Sequence, residues 1–157
     1  MTRVLLIGLF CIAAISQALA ADPPQPLTIR QARQVLQGLL MLDGYQKIIK
    51  DGQIEKTAVQ IYDLGGGLRV QIGQSITALR PVDEAFQHAN LALIHKYSDD
   101  GNAVANAKMQ DYTDELNKTL DGVSGVTIPH IKTSELKLDT NPIQGSVLSL
   151  LNPILDP

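Results

Sequence analysis

Apolar positions recur at helical spacing along most of this chain, and only short stretches alternate. Ile29, Ala32, Val35, Leu36, Leu39 and Leu40 fall on one face of a helix, with Arg30, Arg33, Gln34 and Gln37 largely elsewhere. Thr28-Ile29-Arg30-Gln31 fits a capping box, in which the hydroxyl and the amide satisfy open backbone groups at the helix start. Asp43-Gly44 supplies the stop, because glycine takes the left-handed cap conformation.

Beyond that stop the pattern changes. Tyr45 to Lys50 fits either one more pair of helical turns or a strand turning at Asp51-Gly52. Thr57 to Leu64 and Leu68 to Ile72 read as two strands joined by Gly65-Gly66-Gly67. Val59, Ile61, Leu68, Val70 and Ile72 alternate there with Gln60, Tyr62, Arg69 and Gln71. A lone hairpin is marginal in water, so its apolar side needs a cover.

A second helical region runs from Gln74 to Tyr97, with Val82, Phe86, Ala89, Leu93 and Tyr97 as its core side. Pro81 lacks a backbone donor and crowds the preceding turn, so it predicts a break near Leu79 or a kink. Ser98 to Asn102 forms a loop. Ala103 to Leu120 is a more polar helix with a weaker stripe through Val104, Ala107, Met109, Tyr112 and Leu116, ending at Asp121-Gly122. Val126 to Ile131 predicts a strand that Pro129 pushes to an edge. Asn141-Pro142 opens a short helix in which Val147, Leu150, Leu151 and Ile154 recur at helical spacing, interrupted by Asn152-Pro153. The sum is α+β: one helix-dominated domain over 28–157 with a small antiparallel hairpin or sheet.

Composition adds an address. Arg3, the apolar run Val4 to Ile15 and Ala18-Leu19-Ala20 match a secretory signal over 1–20, followed by a proline-rich leader over 21–27. The competing reading is an uncleaved anchor, although the apolar core is shorter than the roughly 20 residues that cross a bilayer. Cys11 is the one cysteine, and Phe10 stands before it where lipid-attachment sites carry a small residue. Cleavage therefore leaves a cysteine-free chain, with no disulfide, thiolate metal site or thiol nucleophile. Losing Arg3 takes the net charge from −3 to −4, mixed in sign throughout. No basic stripe suits a phosphate backbone, so nucleic acid is not an expected partner. Nor is stable membrane insertion after cleavage.

The segments LQGLLMLDGY, SITALRP and LKLDTNPIQGSVLSLLNPIL resemble parts of short uncharacterised proteins encoded in bacterial and prophage genomes. The resemblance covers most of the mature chain. Its motifs mark packing and turns, and it implies a bacterial source and a non-enzymatic part.

Candidate chemistry is weighed motif by motif. Glu84, His88 and His95 share one helix side, opposite the Phe86–Leu93 stripe; a metal site there would need His130 or a carboxylate from elsewhere. Gly73-Gln74-Ser75-Ile76-Thr77 begins like a nucleophile elbow but lacks the closing glycine, so helix capping is the plainer reading. Gly65–Gly67 lacks the Lys-Ser/Thr pair of a phosphate cradle. Asp99-Asp100-Gly101-Asn102 lacks the spaced ligands of a calcium loop and reads as a turn. Asn117-Lys118-Thr119 is formally a glycosylation acceptor, placed within a helix.

No catalytic, cofactor-binding or metal-binding residue is assigned from sequence. The one candidate partner surface is Val147, Leu150, Leu151 and Ile154, against the competing expectation that this helix closes its own domain. The expected function is that of an exported, periplasmic or secreted, non-enzymatic interaction or structural protein, binding an unidentified protein partner or itself, with no cofactor. The alternatives are a binding module for a small apolar or lipid-like ligand, and an unrecognised enzyme using Glu84, His88, His95 and His130 as acid–base groups.

Overall fold

The first helix, α1 (Ile29–Leu42), begins and ends as its sequence dictates. The Gln31 N–H donates to the Thr28 hydroxyl at 3.2 Å, and the Thr28 N–H donates to the Gln31 side chain at 3.0 Å. Gly44 follows the last turn with φ 83°, a conformation that a Cβ resists. The computed structural model describes residues 26–50, 53–58 and 62–157, with side chains over 26–44 and 62–157. The signal over 1–20, most of the leader over 21–27, the Asp51-Gly52 turn and positions 59–61 lie outside the described residues.

Strands β1 (Tyr45–Lys50) and β2 (Gln53–Ala58) pair through an antiparallel backbone ladder in which Ile49 stands opposite Ile54. The hairpin expected across Gly65–Gly67 is not formed. Those glycines begin α2 (Gly66–Tyr97), a helix of 32 residues and about 48 Å. Leu68 and Ile72 satisfy both periods, but Ile76 and Leu79 continue only the helical one. All four are buried, while Val70 is 60% exposed. A strand alternating through Leu68, Val70 and Ile72 would have placed all three on one covered face.

Pro81 does not break α2 either. It is exposed, and its missing donor frees the carbonyl of Thr77, itself an exposed residue. The Ser98–Asn102 loop leads to a 3₁₀ turn at Asn106–Lys108 and then α3 (Met109–Leu120), shorter at its start than the pattern predicts. No residue of α3 is fully buried, in keeping with its weak stripe.

Sheet formation in the packed body differs from expectation. Of Val126 to Ile131, only Ile131 enters a strand, β3 (Ile131–Lys132). It pairs in parallel, not antiparallel, with β4 (Leu155–Asp156). The crossover explains this: α4 (Gly145–Leu151) lies between the two strands, and such a connection returns the chain in the same direction. The chain is thus helix-dominated.

The core gathers Val35, Leu39 and Leu42 of α1, Ile72 and Leu79 of α2, and Val147 and Leu151 of α4, with Ile131, Leu136 and Ile154 from the connections. At Gly38 the α1 backbone meets α4 so closely that an added Cβ would lie 2.9 Å from Leu151 Cγ. Glycine is a poor helix former, and its place in mid-helix is explained by this approach.

One buried polar side chain ties the far segments together. Asn141, 4% exposed, accepts from the Asp63 N–H at 2.9 Å and donates to the carbonyls of Leu136 (2.8 Å) and Asp63 (3.3 Å). It does not open α4, which starts after Gln144.

Candidate functional site

The length of α2 organises every candidate. Its first half lies on α1 and the core; its second half lies on α3. At the crossover, Arg33 Nε donates to Asp83 at 2.6 Å, its guanidinium lies 4.0 Å from the Phe86 ring centre, and Gln87 donates to the other Asp83 oxygen at 2.7 Å. Farther along, Lys96 and the Tyr97 hydroxyl both donate to one oxygen of Glu115, at 2.6 and 2.7 Å. Tyr97 meets Tyr112 edge to face at 6.4 Å, and Tyr112 donates to Asn90 at 2.8 Å.

These contacts shift the titration of the clasp. The Lys96 ammonium, then the Tyr97 hydroxyl, hold the Glu115 carboxyl below its ordinary range. The same carboxylate raises Lys96, and Tyr97 as well, since each would lose its hydrogen bond on deprotonation. All three groups are bound to one another across a helix pair, an arrangement that fastens α3 in place.

The histidine cluster is separated. Glu84, His88 and His95 are exposed on the outward side of α2, as the wheel predicts. His130 lies elsewhere, its Nδ1 2.8 Å from Asp156 Oδ1 beside the β3–β4 ladder. Among the described residues, no group of three His, Cys, Asp or Glu side chains converges as a metal site would require. Ser75 is buried in the interior of α2.

The acidic loop is occupied by its own backbone. Asp100 Oδ1 accepts from the Asn102 N–H at 2.9 Å, the Ser98 hydroxyl at 2.8 Å and the Ala103 N–H at 3.3 Å. Those donors, the Asn102 N–H first, lower its carboxyl to about 2. Asp99 pairs with Lys108 at 2.8 Å. Both carboxylates thus serve the turn. Asn117 is exposed in α3 and accepts from Arg30 at 3.1 Å.

The proposed partner surface at the C-terminus is corrected. Val147, Leu151 and Ile154 are 1%, 0% and 1% exposed, and Leu150 packs its Cβ near Gly38. This helix closes its own domain, because the Gly38 notch gives it a seat on α1. No helix among the described residues is long and apolar enough to cross a membrane.

What stays uncovered is the outward side of α2. Gly66, Val70, Gly73, Thr77, Arg80, Glu84, His88, Leu91 and His95 succeed one another at steps of three and four, and all are exposed. The sequence pattern places the two histidines and the glutamate on this side but assigns Val70 to a strand. The continuing period through Ile76 and Leu79 was the signal that could have found it.

Comparison with protein-family models, curated proteins and solved structures gives no match. The functional reading therefore rests on the chain's own residues.

Proposed function

We propose that this chain is an exported, non-enzymatic interaction or structural protein, working in a bacterial periplasm or outside the cell. Its leader pattern supports the export, and its resemblance to short bacterial and prophage-encoded proteins supports the source. The single observation that carries the interaction role is the outward side of α2. A helix of 32 residues has its inner side on the body, while its outer side presents Val70 and Leu91, 60% and 54% exposed, to solvent. A partner laid along this side would take both side chains out of water.

The test has two parts. Mass spectrometry of protein purified after expression of the full chain should give a species beginning at Ala21; retention of residues 1–20 overturns the export reading. Light scattering, with in-cell cross-linking of the exported protein, should show a complex in which Val70 or Leu91 is protected from surface labelling. A solitary monomer, labelled fully at both positions in the cell, overturns the interaction role.

A further inference from the structure

We infer that α3 is a detachable strap, which lifts as one unit from the second half of α2 while the body stays folded, with Glu115 as its latch. This goes beyond the interaction reading and concerns the opposite, inner side of the same long helix.

The core stops short of this region. No apolar residue between positions 83 and 125 lies in the main core or packs against it. Phe86 and Leu93 are the buried apolar residues there, and the Arg33 guanidinium lies over the Phe86 ring. Asn90 and Tyr97 flank Leu93 at helical steps of three and four, and both bond to side chains of α3. Leu93 therefore stands on the side that α3 covers. From α3 come Tyr112, Leu116 and Leu120, each only half-buried. A helix that buries so little apolar surface gains little by staying docked, and releasing it costs far less than opening the core.

Both ends stay held when the middle lifts. Before α3, the Ala105 N–H donates to the Tyr97 carbonyl at 3.0 Å. After it, the Gly122 carbonyl accepts from the Ile29 N–H and the Ser124 N–H donates to the Leu27 carbonyl, each at 2.9 Å. Between those pins, side chains alone tie α3 to other elements among the described residues: Glu115 to Lys96 and Tyr97, Tyr112 to Asn90, and Asn117 to Arg30.

Glu115 is the centre of these ties, since one of its oxygens takes both the Lys96 and the Tyr97 donor. Exposed ion pairs are individually weak and screened by salt, so they yield where a core would not. A helix of 12 residues is also marginal in water on its own. Once off α2, α3 loses its backbone ladder, and its amides report the opening.

Hydrogen exchange on protein purified after expression of the full chain is the test. Corrected for intrinsic rates, the α3 amides should share one protection factor, about a hundredfold or more below that of α1. Glu115→Gln keeps the size of the side chain and removes its charge; it should speed α3 exchange about threefold and leave α1 unchanged. In a Cys11→Ser, Leu93→Cys chain, the thiol should be labelled at a rate that Glu115→Gln raises by the same factor. Equal protection of α3 and α1, or protection graded along α3 from one end, overturns the inference. So does a Glu115→Gln variant that leaves α3 exchange unchanged or speeds both helices alike, and so does a Leu93→Cys thiol that reacts only when the whole chain unfolds.

Discussion

Gly38 and Leu151 are in closer contact than any side chain on Gly38 would permit. A Cβ there would stand 2.9 Å from Leu151 Cγ, and Leu151 is fully buried. Gly38→Ala should therefore destabilise the fold by about 1–3 kcal/mol through overpacking. That loss would appear despite the helix propensity alanine brings, about 1 kcal/mol in its favour. Urea unfolding measures the difference, and an increase in stability would show that α4 does not sit on α1 as described.

Asn141 makes three hydrogen bonds from a buried position, to Asp63 and Leu136. Asn141→Ala leaves the Asp63 N–H and the Leu136 carbonyl without partners, a loss on the order of 3 kcal/mol. Asn141→Asp keeps the acceptor but turns a carboxylate oxygen toward two carbonyls, so it should be destabilised most at neutral pH and recover on acidification. Thermal melts at two pH values check both; an Asn141→Asp variant as stable as the parent at neutral pH would contradict the clamp.

Asp100 gives a pH signature. Its carboxyl is held at about 2, below its ordinary 3.8, by the Asn102 N–H first and then the Ser98 hydroxyl and Ala103 N–H. The folded loop thus favours the ionised form. Its contribution is complete above about pH 4 and is lost as pH falls through about 2. Carboxyl carbon chemical shifts should place the Asp100 midpoint near the lower value, and Ser98→Ala should move it upward. A midpoint at the ordinary value in the parent protein would remove the loop geometry.

Pro81 is carried by α2 at a cost. It is exposed, so Pro81→Ala restores a backbone donor without disturbing the core. The variant should gain about 1–3 kcal/mol against chemical unfolding. An unchanged or lowered midpoint would mean that the ring makes contacts worth as much as the missing hydrogen bond.

Local chemistry was legible where its partners are near in sequence. Thr28 and Gln31 cap one another three residues apart, and Asp43-Gly44 ends the helix it follows, so both could be read directly. Leu68, Val70 and Ile72 could not, because three alternate residues match a strand while the outer two also match a helix. Only tertiary burial separates the cases. Gly38 and Asn141 were illegible for a different reason. Their partners lie far along the chain, Asn141 and Asp63 being 78 residues apart, and no window of local pattern contains both. On the candidate site, the wheel placed Glu84, His88 and His95 correctly, but the strand assignment hid Val70 from the same side.

The seat of α4 on α1 also sets an order of events. Gly38 and Leu151 are 113 residues apart, so seating α4 closes a far longer loop than laying α1 on α2, and the α1 stripe meets α2 before the Gly38 notch is filled.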